Sequence, residues 1–269
     1  MTTRRGVLLG TLGAAGLMAA AKSSNRVLRL PLRTRVEAFK GTGVWEEVHF
    51  EKEFPVPETA VLICDMWDNH WCSGAARRVG GLVKMMDPVL TQARNGGVQI
   101  IHAPSEVMAF YKDYPQRKRM MTLAKVAPPA ECSLTDPPLP IENGCDTSGD
   151  KFFKAWSREH PGLHIGPDDV ISDDGGEIYS FLKKQGIANL LVMGVHTNVC
   201  VLKRSFAIRQ MSKWGIHCVL IRDLTDTMYD PQTPPHVAHE QGTELVVQHI
   251  EKYWCPTSLS AELTRALRG

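Results

Sequence analysis

Two residues in this chain have the types and settings that covalent chemistry needs. Cys200 ends the stretch Gly194-Val195-His196-Thr197-Asn198-Val199-Cys200, which follows the apolar run Leu190-Leu191-Val192-Met193. Asp65 ends a second apolar run, Ala60-Val61-Leu62-Ile63-Cys64. A thiolate attacks acyl and other electrophilic carbons, and a carboxylate can carry its proton if burial raises the carboxylate's affinity for it. Unpaired N–H groups at the start of a helix favour the thiolate and could hold an oxyanion. The bland readings are a small buried cysteine and a loop-capping aspartate.

Both residues must be positioned by strands. The two apolar runs read as buried parallel strands, and Val98-Gln99-Ile100-Ile101-His102, Val170-Ile171-Ser172 and Cys218-Val219-Leu220-Ile221 read as three more. Between them the spacing predicts helices over 82–94, 108–121, 176–185 and 201–214, with 68–81 as a loop, and leaves 243–250 as a strand or a helix. Strands alternating with helices predict an α/β, doubly wound parallel sheet. Ligands in such sheets bind beyond the carboxyl ends of the strands, and Asp65, His102, His196, Cys200 and Asp223 all fall there. Asp223 is expected to cap the turn that follows it. Residues 26–32 read as an edge strand or an extended arm.

The N-terminus reads as a targeting segment, not as fold. Thr3-Arg4-Arg5 precedes an uncharged apolar run ending in Ala19-Ala20-Ala21, so residues 1–21 are expected to be a twin-arginine signal peptide, 22–57 an arm and 58–269 the folded domain. The expected location is periplasmic, with no membrane segment in the mature form. A net charge of +2 gives no footprint for nucleic acid. Seven cysteines are an odd number, so at least one stays unpaired in a monomer; Cys132 and Cys145, flanking a proline-rich loop, are candidates to pair, while Cys64 and Cys218 read as core.

Val61-Leu62-Ile63-Cys64-Asp65-Met66-Trp67-Asp68-Asn69 and Leu191 to Val201 together resemble the isochorismatase-like cysteine hydrolases, the superfamily of nicotinamidases, carbamoylsarcosine amidases and isochorismatases. The resemblance covers about Ala60 to Asp230. It implies a three-layer α/β/α fold with a six-stranded, mostly parallel sheet, and a cis peptide between Val195 and His196. It also implies hydrolysis of a small amide, carbamoyl or related C–N substrate, no cofactor, and a homo-oligomer, for which Trp214 and Trp254 offer contacts. Cys200 matches the nucleophile and Asp65 the general base, with an oxyanion hole near Val195, His196 and Cys200.

The family's third residue, a lysine, has no match: Asp173 stands where it is expected. Lys154 is the best substitute, against the bland reading of a solvated loop lysine. Trp67, His70, Trp71, His102 and Thr197 are expected to line the substrate pocket; the tryptophans read equally as core. His196 would face that pocket, donating to a substrate carbonyl or carboxylate or serving as an acid–base partner, unless its own turn binds it. His70, Cys72 and His102 are weak candidates for a metal, because the Asp-x-His pattern of nicotinamidases is absent here. His236 and His239 read as surface or C-terminal packing. Two rival functions remain: a ligand- or partner-binding protein without catalysis, motivated by the missing lysine, and a metal-dependent hydrolase.

Overall fold

The computed structural model describes residues 26–269. The expected signal peptide lies outside the described residues. Six parallel strands form the centre of one sheet: β3 (Thr59–Cys64), β4 (Gln99–Ala103), β5 (Val170–Ile171), β6 (Asn189–Val195), β7 (His217–Asp226) and β8 (Thr257–Ser258). The hairpin β1 (Val27–Glu37) and β2 (Trp45–Pro55) adds two antiparallel strands beside β8. The sheet therefore has eight strands, in the order β2-β1-β8-β7-β6-β3-β4-β5, where the resemblance implied six. Residues 27–37 are strand because Leu28, Leu30 and Leu32 alternate inward.

Period-two alternation divides the central strands between two apolar layers. Val61, Ile63, Leu191, Met193, Val219 and Ile221 pack with α1 (Ser73–Asn95) and α8 (Ser260–Arg268). Leu62, Leu190, Val192, Cys218 and Leu220 pack on the opposite face. That layer contains α4 (Gly175–Gln185), α6 (Ile208–Lys213) and α7 (His239–Tyr253). Among the described residues no helix is long and apolar enough to cross a membrane.

Several local expectations are corrected. The helix expected over 108–121 is two, α2 (Met108–Tyr111) and α3 (Pro115–Met121), because a proline extends the residue before it and Tyr114 has ψ 134°. The helix expected over 201–214 breaks after α5 (Cys200–Lys203), where Arg204 turns to ψ 153°, and resumes at α6. Part of the expected 68–81 loop is the start of α1; Gly74 belongs there because Asp146 and Thr147 fill the space of its missing side chain. Residues 243–250 are helical. Cys145 pairs with Cys72, not with Cys132, which is free and exposed. Asp223 lies within β7, which runs on to Asp226, and its carboxylate accepts from the Ser260 N–H (2.8 Å) at the start of α8, so it leaves the site. Trp214 and Trp254 are partly buried within the chain, edge-on to Tyr179 and under Arg209 respectively.

Candidate active site

Asp65 and Cys200 meet because β3 and β6 are neighbours that run the same way. At the crossing, Gly194 has φ +117° and lies so close to the Cys64 carbonyl that a side chain has no room. Asp65 turns out of β3 with φ +47°, and its N–H continues the ladder to the Ala103 carbonyl (3.2 Å). Its carboxylate is fully buried. One oxygen accepts from the Ser105 N–H (2.7 Å) and the other from Arg204 Nε (3.0 Å), and the Cys200 thiol lies beside the same group.

The turn that carries Cys200 is fastened to the end of β7. Thr197 N–H donates to the Asp226 carbonyl (2.8 Å), Thr197 Oγ1 bonds Thr225 Oγ1 (2.7 Å), and the Asn198 amide bonds both backbone groups of Met228 (2.9 and 3.0 Å). Thr197 is thus a turn anchor rather than a pocket wall. The Val195–His196 peptide is cis, as the resemblance implies. Val199 and Val201 donate to the His196 carbonyl (3.0 and 3.1 Å), while the Cys200 N–H between them has no backbone partner.

The expectation of a standing thiolate is corrected. Burial, then the negative charge of Asp65, pushes the Cys200 thiol far up, and α5 is a single short turn with little dipole to oppose them. Burial also raises Asp65, against the pull of the Arg204 guanidinium. Both shifts favour a protonated pair over a standing thiolate.

A cavity of about 300 Å³ opens above the thiol. Trp67, Trp71, Phe152 and Trp156 form its apolar wall, and His70, His196, Glu106 and Arg204 its polar one. Trp67 and Trp156 stack at 4.5 Å and 14°, and His70 lies nearly parallel to Trp156 at 5.8 Å. Trp67 is core and wall at once: it is buried, and its indole N–H donates to the Ser105 carbonyl (3.0 Å).

Not every expected residue is brought together. The cation on Asp65 is Arg204, not Lys154. Lys154 is exposed, and its Nζ donates to the Glu106 carbonyl (2.8 Å). Asp173, at the expected lysine position, accepts the Glu106 N–H (2.9 Å). Both thus hold the loop whose Glu106 carboxylate meets Arg204 at 3.2 Å. Arg204 was legible as four residues beyond Cys200, a spacing that shares a helix face.

His102 is turned away from the cavity, its Nδ1 on Glu159 (2.7 Å) and its Nε2 on Asp169 (3.0 Å). Burial opposes its charge, but the two carboxylates prevail and raise it to about 9. The candidate metal donors His70, Cys72 and His102 fail as a set, because the Cys72 sulfur is in a disulfide and both His102 nitrogens are engaged. The one cluster of such donors among the described residues, Cys72, Cys145 and Asp146, contains the same disulfide. His239 is not surface packing: its ring bonds Asp226 (2.8 Å) and the Tyr229 carbonyl (3.0 Å).

No protein-family model and no curated protein matches the sequence. Solved structures do match. A cysteine hydrolase from Pseudomonas syringae pv. phaseolicola 1448A aligns over 80% of this chain and 94% of its own, at 17% identity and a TM-score of 0.52. A candidate isochorismatase from Burkholderia xenovorans LB400 aligns over 80% and 89%, at 13% identity and a TM-score of 0.50. With its parallel α/β sheet and the strand order given above, the chain has the isochorismatase-like fold.

Proposed function

We propose that the protein is a cysteine hydrolase of a small amide, carbamoyl or related C–N substrate. The observation that carries this reading is the buried Asp65 carboxylate beside the Cys200 thiol at the edge of a cavity, with Arg204 Nε on the same carboxylate at 3.0 Å. As Cys200 Sγ attacks the carbonyl carbon, its proton passes to Asp65. The oxyanion accepts from the Cys200 and His196 N–H groups. Asp65 returns the proton to the departing nitrogen, the C–N bond breaks and a thioester remains. Water then attacks the thioester with Asp65 as base, releasing the acid and restoring the thiol.

Arg204 takes the lysine's part as a fixed charge. Burial opposes its charge, but Asp65, with Cys200 and Glu106, prevails and holds the Arg204 pKa above an already high value. It cannot shuttle protons, so Asp65 is the only proton carrier in this scheme. A cation beside Asp65 also weakens the motive for a purely binding function. We extend the proposal to export through the twin-arginine route and to self-association. Cell fractionation with N-terminal sequencing tests the first, and sedimentation the second; unprocessed cytoplasmic protein or a monomer would refute them.

Ammonia release from a panel of small amides and ureas tests the main reading. At least one member should be hydrolysed, and Cys200→Ala should be about a thousandfold slower or worse. A Cys200→Ala protein as active as the parent would overturn it.

A further inference from the structure

His196 differs from its neighbours in the catalytic turn. The side chains of Thr197 and Asn198 are both hydrogen-bonded within the protein. His196 is 3% exposed, lines the cavity with Cys200, and its Nε2 has no partner among the described residues. Asp226 is a nearby acid, but His239 takes one of its oxygens and Arg78 the other (2.8 and 2.9 Å). Buried polar atoms are rarely left unpaired, and two residues of this lining carry one each, the His196 Nε2 and the Trp156 indole N–H; of the two, His196 stands in the catalytic turn.

The rest of the cavity says what kind of partner. His70, Trp67 and Trp156 present nearly parallel rings, within 17° of one another, which suit a flat substrate. Arg204, the cation of the lining, is engaged by Asp65 and Glu106, and Glu106 adds a carboxylate of its own. Lys154 is outside the lining, with its ammonium on the Glu106 carbonyl. Burial and then His70 hold the His196 imidazole neutral, with its pKa down to about 3, so it offers a hydrogen bond and no charge.

We infer that His196 is a specificity-determining residue, whose free ring nitrogen hydrogen-bonds an uncharged polar substituent on a flat substrate lodged against the tryptophan wall. The inference rests on the hydrolase reading for what happens to that substrate, but not for its binding. It divides the polar contacts into two sets: Cys200, Asp65 and Arg204 act at the scissile group, and His196 reads the part of the molecule that does not react.

Binding to the full-length Cys200→Ala protein tests it without turnover, by quenching of tryptophan fluorescence. The probes are benzamide, 3-hydroxybenzamide and anionic 3-carboxybenzamide. 3-Hydroxybenzamide should bind about tenfold tighter than benzamide, the value of one neutral hydrogen bond. 3-Carboxybenzamide should gain nothing over benzamide. Adding His196→Phe should erase the preference to within about twofold, and His196→Gln should keep part of it. Should either variant fail to fold, the His196 ring N–H resonance of the Cys200→Ala protein should move with 3-hydroxybenzamide and not with benzamide. A preference that survives His196→Phe, tightest binding by the carboxylate, a resonance that both neutral probes move alike, or no saturable binding of any probe would overturn the inference. If Cys200→Ala still hydrolyses amides while the preference follows His196, the mechanism fails and this inference stands.

Discussion

His102 and His196 occupy matching places and opposite states. Each is buried at the carboxyl end of a parallel strand, one in β4 and one just past β6. His102 has both nitrogens bonded to carboxylates, and Arg94 joins Asp169 from α1 at 2.8 Å. Its charge is balanced and neither ring nitrogen is free. His196 is neutral, has an unpartnered nitrogen and faces space. Burial of a polar side chain at a strand end therefore does not mark a site. What separates the two histidines is that His196 keeps a free nitrogen and shares one cavity with Cys200, whereas both nitrogens of His102 are taken, although Glu159 of its cluster has an unpartnered oxygen and lines a separate cavity.

The contrast predicts that damage to one region costs activity and damage to the other costs stability. Asp65→Asn should lower kcat by about a thousandfold, because the proton has no other acceptor, with a melting temperature near that of the parent. His102→Gln should do the reverse: about 3 kcal/mol of stability lost, since Glu159 and Asp169 keep buried charges without their partner, and kcat per folded molecule unchanged. Loss of kcat in that variant would erase the distinction between the regions.

Arg204→Met should cost about a hundredfold in kcat and Arg204→Lys about tenfold, measured at saturating substrate. Equal loss in both would mean that Arg204 acts through shape and not through charge.

The two histidines also separate by pH. His102 is raised from 6.5 to about 9, so its contribution to stability is complete below pH 6.5 and is lost as pH rises through about 9. His196 is lowered from 6.5 to about 3, so the unfolded chain takes up its proton first, and stability falls as pH drops from 6.5 toward 3. Thermal melts across this range should show the alkaline limb vanish in His102→Gln and remain in His196→Phe. The smallest effect belongs to Lys154→Ala, within about threefold in kcat/KM, because an exposed lysine on a backbone carbonyl holds a loop without touching Asp65.

What could be read in the sequence was what local pattern determines. The unbroken apolar runs at 60–64, 98–102, 190–193 and 218–221 were legible as buried parallel strands, and β3, β4, β6 and β7 do stand between two apolar layers. Asp65 and Cys200 were legible because each ends its own apolar run and neighbouring parallel strands bring such ends together. Arg204 was missed because the cation was sought as a lysine upstream of the cysteine strand, although its place four residues beyond Cys200 was open to reading. The Cys72–Cys145 bond, 73 residues apart in sequence, and the closed His102 cluster depend on long-range packing that no local window holds. Trp156 and Phe152 reach the cavity from a segment without regular structure, so no periodicity announced them.

The central claim is that the Cys200 sulfur carries the acyl group through turnover. Rapid acid quench of the protein with its best amide, followed by mass analysis of the Cys200 peptide, tests this most directly. The account predicts an acyl thioester on Cys200 that builds within one turnover, decays as the acid product is released, and is missing in Cys200→Ala. Product release with Cys200 unmodified at every time point, at an undiminished rate in Cys200→Ala, would contradict it.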